Sequence, residues 1–186
     1  MKAVSLDPLQ NSNSMGDKFE NGKEMFPLVD ESGNIVGAAS RAECHDGSKK
    51  LHPVVHLHIF NSKGELLLQK RPEWKDIQPN KWDTAVGGHV DLGENIEQTL
   101  KRETLEEEGI SDYTPQFICS YVFESKREKE LVFTYKTIYD GDIHPSVDEL
   151  SEARFWSKDD IIKHLGKEIF TPNFEQEIER IKLFEL

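Results

Sequence analysis

The stretch 88-GHVDLGENIEQTLKRETLEEEGI-110 holds seven acidic side chains and two basic ones. Its acids crowd toward the end, at Glu103, Glu106, Glu107 and Glu108, just before Gly109. Ile96, Leu100 and Thr104 repeat at the i, i+4, i+8 spacing of one helix face, and Gly109 is a typical residue just past a helix end. A helix over 95–108 is therefore expected. At roughly 100° per residue, Glu103, Glu106 and Glu107 fall in one sector that partly overlaps the apolar stripe. A solvated face would lie opposite that stripe. Negative charge at a helix C-terminus also opposes the macrodipole, by about 0.3–1 kcal/mol per charge. One reading is an acidic surface helix in an acidic protein. The other is a hard oxygen site for a divalent cation such as Mg²⁺ or Mn²⁺, whose charge would offset the crowding.

The rest of the chain supplies the frame. FPLVDESGNIVGAAS (26–40) reads as a small hairpin. VVHLHIF (54–60) alternates with period two and turns at Asn61-Ser62-Lys63-Gly64 into ELLLQKR (65–71), a second hairpin. TAVGGHV (84–90) reads as one strand running into a glycine pair. FICSYVFES (117–125) and ELVFTYKTIYD (130–140) are rich in aromatic and branched residues and read as paired strands. ARFWS (153–157) is a short strand, Ser157 caps a helix, and Thr171-Pro172 opens a last one. Strands, a central helix, more strands and two closing helices predict an α+β fold in one domain over residues 24–186. Residues 1–23, rich in Asn, Ser, Gly and Asp, are expected to form a loose arm. Exchange of that arm between subunits makes a homodimer one expected assembly.

Among 186 residues, 36% are hydrophobic and 31% charged, and the net charge is −12. That charge disfavours general binding of nucleic-acid polymers or anionic membranes. It leaves room for an anionic small molecule, because a bound cation reverses the local sign. Two distant cysteines, Cys44 and Cys119, make no disulfide framework. With no apolar run of membrane-spanning length and no hydrophobic signal core, a cytoplasmic location is expected.

The opening stretch resembles the Nudix box, G-x5-E-x7-R-E-U-x-E-E-x-G-U, where U is a bulky aliphatic residue. Gly88, Glu94, Arg102, Glu103, Glu106, Glu107, Gly109 and Ile110 match its fixed positions. Thr104 alone departs, standing where an aliphatic residue is usual. The resemblance implies an α/β/α sandwich with a mixed sheet and hydrolysis of a diphosphate linked to another moiety. It also implies divalent metal held by Glu103, Glu106, Glu107 and the carbonyl of Gly88. Glu94 and Arg102 match a pair that braces the loop against the helix. Glu106, or a carboxylate from a later loop such as Glu130, would accept the proton from water, with Glu103 also counted among the catalytic carboxylates.

Outside the box, the chain is similar to isopentenyl diphosphate isomerases, which share the fold. His45 and His52 in HDGSKKLH, His89 after the box glycine, and Glu128 and Glu130 match their metal site. Each has a plainer reading as a loop or strand residue. DESGNIVG, the LLLQKRPEWKDIQPNKW segment and FTPNF extend the similarity. Two departures stand out: Gly87 occupies the position of the isomerase cysteine, and the box is whole where the isomerases degrade it. The expectation is an isomerase-like Nudix hydrolase, with an isomerase and a non-catalytic ligand sensor as alternatives. Lys70, Arg71 and Lys75 end a strand where they could meet phosphate oxygens, or stand there as solvated charges. His56 and His58, alternating within an apolar strand, are read as structural.

Overall fold

The computed structural model describes residues 24–75 and 78–185; the expected arm at 1–23 lies outside them. A two-stranded hairpin comes first, β1 (Met25–Val29) and β2 (Ile35–Ser40). A single turn of helix follows, α1 (Arg41–Cys44), entered through a capping box between Ser40 and Glu43. The S-x-x-E spacing that signals such an entry stands in the sequence at Ser40 and Glu43, where the expected hairpin ends.

A mixed sheet forms the centre. β3 (Leu51–Phe60) runs parallel to β8 (Lys129–Ile138) along its whole length, and β8 pairs antiparallel with β7 (Gln116–Glu124). β4 (Leu66–Lys70) lies between β5 (Trp82–Thr84) and β9 (Glu152–Trp156). β6 (Val86–His89) pairs with β3. The expected hairpin between β3 and β4 is present, but the two strands share only the pair Phe60 and Leu66. Beyond it β3 takes β6 as its neighbour and β4 takes β5. The single strand expected over 84–90 is therefore two strands, separated at the fully buried Ala85.

Period-two alternation divides the sheet's side chains between two cores. Val55, Leu57, Ile59, Leu67 and Val86 pack with Leu100 and Ile110, under the central helix α2 (Ile96–Glu108). On the other face Leu66, Leu68, Trp82 and Trp156 pack with Ile161 of α3 (Lys158–His164) and with Phe174 and Ile178 of α4 (Pro172–Arg180). A fully buried Leu or Phe contributes about 1.5–3 kcal/mol. The result is the expected α/β/α sandwich.

The ends of α2 are fixed locally. Asn95 accepts from the backbone of Gln98 while the Gln98 side chain accepts from the backbone of Asn95. Such caps contribute about 1 kcal/mol. At the other end Gly109 turns left-handed, φ 67°. A β-carbon there would also stand 2.8 Å from the Cβ and carbonyl oxygen of His144, so glycine is required twice over.

Candidate functional site

The glycine-to-helix stretch folds around Arg102. Its Nε and Nη2 reach the two carboxylate oxygens of Glu94 at 2.8 and 2.9 Å, a bidentate pair. Nη2 also donates to the carbonyl of His89, 3.1 Å away, and Nη1 to Glu103 Oε1 at 2.8 Å. This is the expected brace between loop and helix, and it holds Glu94 below the usual carboxylate range.

The three box carboxylates differ in surroundings. Glu103 lies in the space that a β-carbon on Gly88 would need, so only glycine lets that backbone approach the acid. Burial pushes Glu103 up to about 7 despite Arg102. Glu107 accepts from the amide of Gly87 at 3.1 Å and from Gln69 Nε2 at 3.3 Å; burial raises it well above the usual range. Glu106 is exposed, with Arg102 Nη1 3.4 Å from its Oε2. The fourth acid, Glu108, turns inward. It is fully buried, neither oxygen has a hydrogen-bond partner, and burial pushes it up to about 8. Thr104, the one departure from the box pattern, is fully buried with its hydroxyl 2.9 Å from that of Tyr113.

A second group gathers at the other side of β6. Among the described residues, His45, His52, His89 and Glu130 are the set of three or more metal-ligating side chains whose ligand atoms all lie within 4.8 Å of one another. Glu103, Glu106 and Glu107 form no such set. His52 Nε2 and His89 Nε2 are buried without a hydrogen-bond partner and lie 3.9 and 3.8 Å from Glu130 Oε1. These distances are too long for hydrogen bonds and right for atoms converging on a shared cation. The backbone sets the ring orientation: His52 Nδ1 lies 2.9 Å from the carbonyl of Lys50, and His45 Nδ1 2.7 Å from that of Arg41. A carbonyl only accepts, so in both rings Nδ1 carries the proton, and in His52 this leaves the Nε2 lone pair pointing inward. Burial lowers His52 and His89, keeping them neutral, and pushes Glu130 up to about 7. Glu128 pairs instead with His45 Nε2 at 3.1 Å, which raises His45 and lowers Glu128. Phe26 of the first hairpin stacks on His89 and His52, with ring centroids 4.6 and 5.7 Å apart.

Three consecutive residues of β6 thus serve different groups. Gly88 faces Glu103, whereas Gly87 and His89, pointing to the opposite side, face His56 and the imidazole cluster. The structure brings the box acids together with Gly88, and the histidines together with Glu130, on the two sides of one strand. Gln69, which sequence reasoning passed over, joins the first group.

Of the expected basic residues, two stand beside acids. Arg71 Nη1 is 3.7 Å from Asp83, and Lys75 Nζ is 3.8 Å from Glu149 and sits over the Trp74 ring. Lys70 is half-buried at the end of β4. Neither cysteine replaces the thiol missing at Gly87. Cys44 is buried under the hairpin, its thiol pushed up to about 11 by that burial, and burial raises Cys119 on β7 as well.

The family model of the NUDIX domain matches residues 50–177. The chain belongs to the Nudix family. An uncharacterised Nudix hydrolase of Listeria monocytogenes is 32% identical to this Nudix protein over 155 residues, covering 81% of the chain and 90% of the relative. Isopentenyl-diphosphate Delta-isomerase 1 of Photorhabdus laumondii is 28% identical over 162 residues, covering 83% and 92%. The crystal structure of a Deinococcus radiodurans protein superposes with a TM-score of 0.73 at 22% identity, over 85% of this chain and 99% of that one. That likeness concerns the fold. Hydrolases and isomerases thus both stand among the relatives of this Nudix domain. No helix among the described residues is long and apolar enough to cross a membrane.

Proposed function

We propose that this Nudix protein is a divalent-metal-dependent hydrolase of organic diphosphates. The observation that carries the reading is the fit of Glu103 against Gly88, with the Gly87 amide on Glu107, at a strand position where the isomerases bear a thiol. Without a thiol, protonation of an alkene lacks its acid–base partner. With the box intact, the acids for hydrolysis remain.

Glu103, Glu106, Glu107 and the Gly88 carbonyl would hold Mg²⁺ or Mn²⁺, and the imidazole cluster with Glu130 would hold a second divalent ion. The donor chemistry fits: hard carboxylate oxygens in one group, and in the other a carboxylate with imidazoles of which burial lowers His52 and His89. Bound there, such ions would neutralise diphosphate charge and make water a better nucleophile. The raised acids Glu103, Glu107 and Glu130 then have a reason to be crowded, since a cation favours their charged forms. Glu106, exposed at the mouth, or Glu130 would take the proton from water. Arg102 keeps Glu103 oriented, and Lys70, Arg71 and Lys75 would meet outer phosphate oxygens. A small-molecule diphosphate is the partner this chemistry implies.

The test is hydrolysis of a panel of nucleoside, sugar and prenyl diphosphates with Mg²⁺ or Mn²⁺, read as released phosphate or phosphorylated product. Conversion of isopentenyl diphosphate to its dimethylallyl isomer, with no hydrolysis, would instead support the isomerase reading that the Photorhabdus relative keeps open. Tight diphosphate binding without turnover would support a sensor.

A further inference from the structure

Ala85 stands where the sheet divides. It belongs neither to the β4–β5 ladder, which ends at Thr84, nor to the β3–β6 ladder, which begins at Val86. It is fully buried, and a buried carbonyl outside a ladder needs a donor from elsewhere. Gln69 supplies one: its Nε2 donates to the Ala85 carbonyl at 3.1 Å. Because a carbonyl only accepts, this contact sets the amide with its nitrogen toward Ala85. The same nitrogen has a second hydrogen, and Glu107 Oε2 lies 3.3 Å away. Along β4 the period of two puts Gln69 on the face of Leu67, toward α2, whereas Leu66 and Leu68 turn to the second core. One amide thus ties β4 and the strand break to the helix that carries the box acids.

Glu107 Oε2 is engaged twice, by Gln69 and by the Gly87 amide at 3.1 Å. Two donors from different strands meet one oxygen, which fixes the rotation of the carboxyl group. Oε1 takes no hydrogen bond from any described residue. The neighbouring acids are held differently. Arg102 Nη1 grips Glu103 at 2.8 Å and reaches Glu106 at 3.4 Å, and in both cases the donor is a cation. Gln69 donates without bringing positive charge. It can orient an acid beside a divalent ion without repelling that ion, which a Lys or Arg at this place would do.

We propose that Gln69 is a positioning residue for the box carboxylates: with the Gly87 amide it occupies Glu107 Oε2 and so commits Oε1 to a divalent cation. This rests on the diphosphate-hydrolase reading, in which Glu107 is a metal ligand. Gln69 itself touches neither cation nor substrate in this role; it acts through Glu107, as outer partners of metal ligands do.

The probe is Mg²⁺ alone, titrated into the whole chain and followed by calorimetry and by ¹H–¹⁵N NMR. In the wild type the Gly87 amide and the two Gln69 side-chain hydrogens are expected to shift as the ion is added. Gln69→Met, which keeps the length and removes the donor, should bind Mg²⁺ about tenfold or more weakly, the usual loss when an outer partner of a metal ligand is removed. The rise in melting temperature that Mg²⁺ gives the wild type should shrink in the variant, because the stabilisation follows the affinity. The His52 and His89 rings, on the other side of β6, should respond to added Mn²⁺ as in the wild type. An equal loss of melting temperature with and without Mg²⁺ marks a merely structural Gln69 and overturns the inference. Unmoved Gln69 hydrogens in the wild type, or wild-type Mg²⁺ affinity in Gln69→Met, overturn it too and leave the hydrolase reading standing. If no box residue of the wild type responds to Mg²⁺ or Mn²⁺, that reading falls together with the inference.

Discussion

Gly88 and Glu103 occupy one volume: the carboxyl of the helix residue fills the place where a side chain on the strand residue would begin. Gly88 has no left-handed backbone to explain its identity. The contact does. Gly88→Ala is therefore expected to push Glu103 aside, with a cost of about 1–3 kcal/mol from overpacking and a loss of most diphosphate hydrolysis. Thermal unfolding and turnover on the same preparation check it; an active, equally stable variant would show that Glu103 has other places to go.

Glu107→Gln keeps the shape of the side chain and its acceptor for the Gly87 amide while removing the charge. We expect turnover to fall at least about a hundredfold, in the range associated with removing one electrostatic catalytic group, while the melting temperature holds or rises, because the native acid is buried and held above its usual range. Glu106→Gln, at an exposed position, should leave stability unchanged and also slow turnover. Full activity in both variants would remove the box carboxylates from the chemistry.

Burial raises Glu103 and Glu130 to about 7 and Glu108 to about 8, against 4.5 in an open chain. Over that interval the folded state binds more protons than the unfolded one, so stability falls as pH rises. His52 and His89, lowered from 6.5, act in the opposite direction, but only below that value, where the unfolded imidazole is protonated. The chelator-treated protein should thus lose melting temperature between pH 6.5 and about 8. Glu108→Gln should flatten the decline, since that acid has no partner to lose. Equal slopes for variant and wild type would contradict this account of Glu108.

Gly109→Ala forces a β-carbon onto His144 in a left-handed backbone. A loss of about 1–3 kcal/mol is expected, read by denaturant unfolding. His144→Gly in the same chain should recover only the part due to the His144 Cβ, since the carbonyl oxygen, also 2.8 Å away, stays in place.

What could be read from the chain was local. The helix over 95–108 carried its own period and its stop at Gly109, and the structure begins it at Ile96 after a cap at Asn95. The brace of Glu94 and Arg102 is what the resemblance to the Nudix box implies, and the structure has it. The split of residues 84–90 at Ala85 was not legible, because it depends on β3 and β4 diverging after one shared pair. Glu108 read as one more surface acid, although its position in the helix turns it inward. His56 and His58 looked like strand residues with a structural task. Their partner, Glu177, lies 121 residues from His56, and nothing in either segment announces the other. Gln69 reaches Glu107 only because β4 and α2 share a face of the sheet.

Phe26, stacked on two of the clustered imidazoles, has a practical consequence for where this molecule begins and ends. Phe26, Arg41 and His45 all precede residue 50, where the family match starts, and Ile178, Ile181 and Leu183 of the second core follow residue 177, where it stops. A fragment trimmed to those limits would keep the glutamates of the box. It would lose one imidazole, the aromatic plate over two others, and part of the packing behind the helix that carries Glu177. The working unit is longer than the family signature, and expression boundaries should be drawn accordingly.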